Sequence, residues 1–322
     1  MKLYVLKTTD PYLNLAIEEY LFRNSLDSIF ILWQNDKTVV IGKNQNAYCE
    51  VNSEYAKLHG IKIARRITGG GAVYHDLGNI NYSFISKSIS DGIDFKTFTG
   101  PIISLLKSLS VDAELSGRND IMVGDRKISG NAQFSSGGKT LHHGTILFDS
   151  DLSVLTSVLN VDLEKIKSKA IKSTRSRVIN LQEILEKKLS ASDFISLLVN
   201  HVIKEFAAEL CDVVEMNNEI KALYDRNSSE EWIYPARDYL SSYTVKNKKR
   251  YDFGTVETDI EMLGERIEGV KIHGDFFGNK SIEELEKAVL KNGEFRLDGI
   301  NVSDYVFGMT NDDFLSLITK GE

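Results

Sequence analysis

The spacing of apolar residues divides the start of the chain into short strands and one amphipathic helix. An opening strand, LYVLK, is followed by Asp10 and Pro11, residue types that suit the N-cap and first turn of a helix. Apolar side chains then return every three or four residues, which predicts one buried helical face: Leu13, Ala16, Ile17, Tyr20 and Leu21. Two short apolar runs, IFILW and TVVIG, predict strands on either side of a QNDK turn.

Three consecutive glycines interrupt this pattern in the stretch ARRITGGGAVYHDLGNINYSFI, residues 64–85. Beyond them, apolar residues alternate with Asn81 and Ser83, which is the period of a strand with one buried face: Ile80, Tyr82 and Phe84. The glycine run is therefore expected to join two β elements.

The next patterns predict a helix, a hairpin and a further strand. FKTFTGPIISLLKSL has helical apolar spacing, with Pro101 expected in or near the first turn. In NDIMVGDRKISGNAQF, Gly124 and Asp125 suit a tight turn, after which Lys127 begins the return strand. KTLHHGTILFD predicts another strand.

A second domain is expected at the end of the chain. A long predicted helix, SDFISLLVNHVIKEFAAEL, precedes Pro235 and the charge run KNKKR, which together indicate a boundary. Beyond it, TVETDIEML and RIEGVKIHGDFF form a hairpin pattern around GE, and a helix is predicted after Ser281. We therefore expect a large domain over residues 1–242 and a small α+β domain over residues 243–322.

Composition and charge exclude several classes of function. A formal net charge of −7 over 322 residues argues against general nucleic-acid binding, although it allows a local basic pocket. The two cysteines, Cys49 and Cys211, have no zinc-type spacing and fit a reduced compartment. No stretch approaches the ~20 apolar residues of a membrane span, and the N-terminus lacks a signal-peptide core. We expect a cytoplasmic monomer with no nucleic-acid or membrane partner.

The glycine run is the first candidate for chemistry. Each ordered glycine loses roughly 0.5–1 kcal/mol more than alanine on folding, so a plain flexible turn would be a costly use of three. That interpretation suits an isolated GGG, but this run lies between predicted strands and follows Arg65 and Arg66. Loop N–H groups beside two guanidinium groups suit a phosphate or a carboxylate. The residue order matches neither a P-loop nor a dinucleotide-binding loop.

The hairpin and the turn before it supply two further candidates. Lys127 is either an ordinary surface lysine or a group that neutralises phosphate and polarises a carbonyl oxygen, since the following SGN allows close backbone approach. Asp120, in GRND, is either a turn residue or a ligand of Mg²⁺.

The histidines and two aromatic residues are more ambiguous. His142 and His143 are adjacent in a predicted strand and face opposite sides, so only one of them can line a pocket. His75, next to Asp76, has no nucleophile elbow beside it, and we assign that pair no catalytic role. Trp33 and Tyr74 are core aromatics by default, with pocket lining as the alternative.

Five ordered motifs resemble those of the A-type lipoate-protein ligases: RRITGGGAVYHDLGNINYSFI, GRNDI, GDRKISGNAQF, HHGTILF and KSTRSRVINL. NLAIEEYLF and VVIGKNQN match before the loop, and the tail with KIHGDFFG is similar to the family's accessory domain. The resemblance implies an α+β fold: a mixed or antiparallel β-sheet catalytic domain flanked by helices, related to biotin ligases and class II aminoacyl-tRNA synthetases, and a small mobile C-terminal domain.

The resemblance also implies a two-step reaction. Lipoate and Mg-ATP give enzyme-bound lipoyl-AMP and pyrophosphate, and a lysine of a lipoyl domain then takes the lipoyl group. The implied carriers are 2-oxoacid dehydrogenase E2 subunits, the glycine cleavage H protein, or both. The first step must overcome the repulsion between the carboxylate of lipoate and the α-phosphate of ATP. Positive groups around both anions would do so: arginine, lysine, loop N–H groups and Mg²⁺.

By similarity, Lys127 is the catalytic residue and contacts both substrates. The other residues expected to bind ATP are Arg66, Gly71, Ala72, Val73, Tyr74, Asn119 and Asp120, with Asp120 as the metal candidate. The other residues expected to bind lipoate are Leu15, Trp33, Arg65, Thr68, Gly69 and His143. The cationic segment 169–177 resembles the adenylate-binding loop.

Two alternatives remain open. An ATP-independent octanoyl or lipoyl transferase of the same superfamily needs a cysteine thioester, and LSGRNDIMVG contains no cysteine where one is expected. A non-catalytic lipoyl-binding homologue is expected to have lost Lys127, the paired arginines or the adenylate loop, all of which are present. A biotin ligase is disfavoured because its GRGRxGR-type loop is absent.

Overall fold

The computed structural model describes residues 1–87, 92–160, 177–235, 243–291 and 293–319. The strands are β1 (Lys2–Val5), β2 (Ile29–Trp33), β3 (Thr38–Ile41), β4 (Lys62–Arg65), β5 (Val73–His75), β6 (Asn79–Lys87), β7 (Ala113–Ser116), β8 (Asp120–Val123), β9 (Arg126–Ser136), β10 (Lys139–Leu147), β11 (Glu209–Leu210), β12 (Val245–Tyr251), β13 (Gly254–Leu263), β14 (Arg266–Gly274), β15 (Leu290–Lys291) and β16 (Glu294–Phe295). The α-helices are α1 (Pro11–Asn24), α2 (Ala47–Glu50), α3 (Ser53–Leu58), α4 (Phe95–Ser108), α5 (Leu152–Val158), α6 (Leu181–Ile184), α7 (Ala191–Phe206), α8 (Asn218–Asn227), α9 (Glu230–Ile233), α10 (Ile282–Val289) and α11 (Asn311–Thr319).

An eight-stranded mixed sheet forms the frame of the N-terminal unit, by which we mean the described residues before position 236. Its strand order is β11-β1-β2-β6-β10-β9-β8-β7. The pairs of β1 with β11 and with β2 are parallel, and the other pairs are antiparallel. Helices α4 and α7 pack on one apolar core, and α1 and α8 pack on a second core. This arrangement confirms the predicted α+β class, with a mixed sheet flanked by helices.

Strand β6 differs from its prediction, because both of its faces are buried. All residues from Asn79 to Ile85 are buried, including Asn81 and Ser83. The apolar positions join the core under α4 and α7, while Trp33 donates a hydrogen bond to the Ser83 hydroxyl over 3.0 Å. A central strand that is covered on both sides buries its polar residues as well. The alternation of apolar and polar residues alone therefore could not show whether the polar side chains face solvent or the interior.

Helix α4 begins earlier than the position of Pro101 suggested. Asp94 is the N-cap and accepts a hydrogen bond from the backbone N–H of Thr97 over 3.0 Å. Pro101 therefore lies inside the helix rather than in its first turn. The local capping residue, and not the proline, sets the start of this helix.

The glycine run joins β4 to β5, as predicted, but within a separate three-stranded sheet of order β4-β3-β5. This sheet packs with α2, α3 and α5 around a small apolar core. The turn at Gly124 and Asp125 connects β8 to β9, again as predicted, and Gly124 has a φ of +60°. The return strand begins at Arg126, one residue before Lys127.

The C-terminal unit, residues 243–319 as described, has its own core. Strands β12, β13 and β14 form an antiparallel sheet that packs against α10 and α11. The charge run KNKKR lies inside β12, so these residues belong to the first strand of this unit. Residues 236–242 lie outside the described part, and the boundary at 242/243 stays a prediction. Among the described helices, none combines the length and apolarity needed to cross a membrane.

Candidate functional site

A cavity of about 510 Å³ lies between the large sheet, the glycine run and the C-terminal unit. Its apolar lining residues are Leu15, Trp33, Val40, Ala72, Val73 and Ala132. Its charged lining residues are Arg66, Arg118, Asp120, Lys127, Arg250, Asp252 and Asp275. Its other polar lining side chains are His75, Asn81, Asn119, Asn131, His143 and Thr145. The cavity thus offers both an apolar surface and a group of cations.

Lys127 and Asp120, predicted from separate motifs, meet in this cavity. Their side chains form an ion pair with 2.7 Å between Nζ and Oδ1. A bulge shifts the register of β8 and β9 between Ile121 and Met122, which locally re-aims the side chains of β9. Gly130 leaves room for the ammonium group, because a Cβ there would lie 2.7 Å from Nζ. The SGN glycine therefore accommodates the catalytic candidate itself.

Arg66 binds the glycine run rather than leaving its guanidinium group free. Its Nη2 donates to the carbonyl oxygens of Gly69 and Gly71, each over 2.8 Å. Its Nε donates to the Thr68 hydroxyl over 3.0 Å, and its Nη1 donates to the Val40 carbonyl. Burial lowers the pKa of Arg66 to about 10, so the group stays cationic at neutral pH. Arg66 thus fixes the shape of the loop and places a positive charge in the cavity wall.

No sequence motif marks Glu18, although it organises one wall of the cavity. It is only 1% exposed and accepts hydrogen bonds from the Ser83 hydroxyl and from Nδ1 of His143, the latter over 3.0 Å. Nε2 of His143 lies 2.8 Å from the Thr68 hydroxyl. The available signal was the position of Glu18 three residues after Leu15, because residues i and i+3 lie on the same face of a helix.

The two adjacent histidines point to opposite sides, as predicted. His143 lines the cavity. His142 packs among aromatic rings, with its ring centroid 5.1 Å from that of Phe98, and burial holds its pKa well below the usual value. Of these two adjacent histidines, only His143 lines the cavity.

His75 also lines the cavity, although its sequence context indicated no catalytic role. It is buried, and its Nδ1 lies 3.2 Å from Nδ2 of Asn35. Its Nε2 has no hydrogen-bond partner among the described residues. Burial and the charge of Arg66 lower its pKa to about 3, so the ring is neutral. A neutral, unpaired ring nitrogen at the cavity wall is a donor or acceptor for a ligand.

The three glycines have different neighbours. A Cβ at Gly69 would lie 2.2 Å from the carbonyl oxygen of Phe276, and one at Gly70 would contact the ring of Phe277. Gly70 also has a φ of +91° and donates its N–H to the Phe276 carbonyl over 3.2 Å. Gly71 has nothing within 4 Å of its Cβ position. Two glycines thus admit the C-terminal unit, and Gly71 faces open space.

Four predicted site residues do not line the cavity with their side chains. Arg65 donates through Nη1 to three backbone carbonyls between residues 42 and 45, and through Nη2 to the Ile233 carbonyl. Tyr74 belongs to the core of the small sheet. Thr68 and Gly69 lie behind the wall, in contact with His143 and Phe276. Arg65 therefore holds the backbone around the site, and its contact with lipoate stays a prediction.

The remaining predicted residues lie in the wall itself. Trp33 and Leu15 provide apolar surface, and the indole N–H of Trp33 is fixed by Ser83. Asn119 lines the cavity while its side chain donates to the carbonyl of Asn131. Of the predicted adenylate-binding segment, only Arg177 is described, and residues 169–176 lie outside the described part.

Comparison with known proteins places both parts of the chain in one family. Residues 10–203 match the family "Lipoyl protein ligase A/B catalytic domain", and residues 241–318 match "Bacterial lipoate protein ligase C-terminus". The lipoate-protein ligase LplJ of Bacillus subtilis is 40% identical over 96% of this chain and 97% of its own length.

Solved structures agree with this result. The Plasmodium falciparum LipL1 structure in complex with lipoate has a TM-score of 0.78 and 26% identity, over 98% of this chain and 97% of that chain. A bipartite lipoate protein ligase of Thermoplasma acidophilum, described with its E2 lipoyl domain, has a TM-score of 0.62 and 32% identity, over 72% and 95%. A lipoate-protein ligase A bound with ATP has a TM-score of 0.61 and 31% identity, over 72% and 98%. The chain therefore belongs to the lipoate-protein ligase family.

Proposed function

We propose that this enzyme activates lipoate with Mg-ATP to lipoyl-AMP and transfers the lipoyl group to a lysine of a lipoyl domain. The observation that carries the proposal is the placement of Lys127 and Asp120 in one cavity that has both apolar and cationic walls. An aliphatic acid and a nucleotide phosphate require these two kinds of surface side by side.

The reaction balances in two steps. A carboxylate oxygen of lipoate attacks the α-phosphorus of ATP, the bond to the β-phosphate breaks, and pyrophosphate leaves. The neutral amine of the carrier lysine then attacks the acyl carbon, an amide bond forms, and AMP leaves with the proton lost from the amine. Lys127 would stabilise negative charge on the carboxyl oxygen and the α-phosphate in both steps.

The other predicted roles follow the walls of the cavity. For ATP we propose Arg66, Gly71, Ala72, Val73, Asn119 and Asp120, together with the backbone of Tyr74. For lipoate we propose Leu15, Trp33 and His143, with Thr68, Gly69 and Arg65 holding these elements from behind. The division between ATP and lipoate follows the family resemblance, and the position of these residues in or behind the cavity wall supports it.

Asp120 remains the candidate for Mg²⁺. The described residues contain no cluster of three or more histidine, cysteine or acidic side chains suited to a metal. Mg²⁺ commonly uses one or two carboxylates together with substrate phosphates, so a single carboxylate beside the nucleotide fits this mode. Bound there, the ion would neutralise phosphate charge, while Lys127 would keep its place through the backbone of β9.

The proposed carriers are the lipoyl domains of 2-oxoacid dehydrogenase E2 subunits, the glycine cleavage H protein, or both. The relative from Thermoplasma acidophilum, described with an E2 lipoyl domain, supports the first of these. A cytoplasmic location and a monomeric state remain part of the proposal. Choice among carriers depends on surface complementarity between the partners.

The ATP-independent transferase is the alternative, and the positions of the cysteines weigh against it. Such an enzyme needs an activated thiol beside the acyl group. Cys49 lies in α2 and Cys211 follows β11, and neither of these two cysteines lines the cavity.

Purified enzyme, lipoate, Mg-ATP and an apo lipoyl domain test this proposal together. Intact mass spectrometry should show one lipoyl group added to the carrier, and the addition should depend on ATP. Transfer from an octanoylated carrier without ATP, combined with no transfer from lipoate and ATP, would overturn the ligase in favour of the transferase.

A further inference from the structure

The C-terminal unit closes part of the cavity wall with charged residues that sequence motifs did not mark. Arg250 at the end of β12, Asp252 and Asp275 all line the cavity. The C-terminal unit is therefore part of the site rather than only an appendage to it.

Several contacts hold this unit in place over the glycine run. The N–H of Gly274 donates to the Asn44 carbonyl over 2.9 Å, and the N–H of Ser135 donates to Asn279 over 2.9 Å. Arg118 lies over the ring of Phe277, 4.7 Å from its centroid, and its Nη2 donates to the Asp275 carbonyl over 3.3 Å. These contacts hold the end of β14 and the residues that follow it, and β14 is joined through β13 to β12, which carries Arg250.

The cations that line the cavity differ in how many of their N–H donors already bind protein groups. Arg66 donates four hydrogen bonds to protein oxygens, and Lys127 is paired with Asp120. Nη1 of Arg118 is buried without a partner among the described residues. Arg250 is exposed, and Nη1 makes one long hydrogen bond of 3.4 Å to the Thr255 hydroxyl.

Arg118 and Arg250 also repel each other. Burial lowers the pKa of Arg118, Asp275 and Asp120 raise it, and the positive charge of Arg250 lowers it further. Both guanidinium groups line the cavity and have unused N–H donors. A multivalent anion bound between them would accept hydrogen bonds from these donors and reduce the repulsion between the two charges.

We propose that Arg118 and Arg250, one from each unit, bind the terminal phosphates of ATP and the pyrophosphate that leaves. The assignment rests on the proposed ligase function, since Lys127 would contact the α-phosphate and the β- and γ-phosphates must extend beyond it. Lipoyl-AMP no longer carries these two phosphates, so Arg118 and Arg250 would act on the adenylate-forming step and not on transfer.

The test uses the full-length Arg250→Gln enzyme in the two half-reactions. Lipoate-dependent exchange of labelled pyrophosphate into ATP reports the first step, and transfer from synthetic lipoyl-AMP to an apo lipoyl domain reports the second. We expect KM for ATP to rise about tenfold, which is about 1.4 kcal/mol, and transfer to stay within about twofold. Arg250→Lys should restore part of the loss.

Lys249→Gln is the matched control, because it removes the same charge from the neighbouring position, where the side chain lies over Tyr251 and not in the cavity. An Arg250→Gln enzyme with the ATP KM of this control would overturn the inference, and so would an equal loss in both half-reactions. Calorimetry with pyrophosphate, using sulfate as a comparison anion, should show weaker pyrophosphate binding by Arg250→Gln. Absence of exchange in the unmodified enzyme would instead contradict the proposed function.

Discussion

At the residue scale, Lys127 carries the largest predicted effect. Lys127→Ala should lower the rate of lipoate-dependent adenylate formation by about 10²-fold or more, because a cation aimed at developing charge is lost. Its partner Asp120 is about as exposed as Lys127 itself, so stability should change by less than about 1 kcal/mol. Lys107→Ala, on the exposed end of α4, is the control. A Lys127→Ala enzyme with the unmodified rate would remove our catalytic assignment.

Glu18 has a measurable structural effect of its own. Glu18→Gln keeps the side-chain shape but changes the acceptor for His143 and Ser83, so we expect the free energy of unfolding to fall by about 1–3 kcal/mol. Affinity for lipoate should fall as well, because His143 and Thr68 lose their fixed orientation. Urea unfolding and lipoate titration measure both effects. If Glu18→Gln matched the exposed substitution Glu186→Gln in stability, the network would have no organising role.

His75 gives the protein a defined pH dependence. Its pKa is about 3 when folded, against about 6.5 when unfolded, so the unfolded chain binds the extra proton between these values. Stability is therefore complete above about pH 6.5 and falls as the pH drops below it, by up to about 1.4 kcal/mol per pH unit. His75→Gln should flatten this slope in urea unfolding between about pH 6.5 and pH 5. An unchanged slope would show that His75 is not buried as a neutral ring.

Sequence motifs predicted some residues of the site and did not mark others, for a physical reason. Lys127 and Asp120 lie on paired strands of one hairpin, so local sequence brings them together. Glu18 reaches His143, and His75 reaches the cavity, only because α1 and β5 pack beside the sheet, and no local pattern encodes these contacts. Charge on an apolar helical face was a signal that something buried would pair with Glu18.

At the element scale, two glycines of the run, Gly69 and Gly70, allow close contact with the C-terminal unit, and Gly71 faces open space. Gly69→Ala should lower the free energy of unfolding by about 1–3 kcal/mol, since its Cβ meets the Phe276 carbonyl. Gly71→Ala has open space and should stay within about 0.5 kcal/mol. Thermal unfolding and limited proteolysis of the two variants compare these effects. Equal stability of the two variants would contradict the close contact that we describe between Gly69 and Phe276 of the C-terminal unit.

Most elements followed their sequence patterns, and each exception has a physical cause. Helix α1, the hairpin of β8 and β9, and the hairpin of β13 and β14 have local caps, turns or periodicity. Strand β6 and helix α4 differed because burial on two faces and a cap upstream of Pro101 outweighed the local pattern. Periodicity predicts where a strand is, whereas the layers on each side decide which of its residues meet solvent.

At the scale of the whole molecule, the two units share one site. Sequence motifs indicated a C-terminal unit with its own core, which the described sheet and helices show. They did not indicate that Arg250 and Asp275 would line the same cavity as Lys127. Packing between units is set by surfaces far apart in sequence, so it could be found only from the folded chain.

The central claim is that this enzyme makes lipoyl-AMP in that cavity. The most direct measurement is exchange of labelled pyrophosphate into ATP by the purified chain, without any carrier protein. We predict exchange only when lipoate and Mg²⁺ are both present. Absence of exchange under these conditions, while the enzyme moves an octanoyl group between carriers without ATP, would contradict the account.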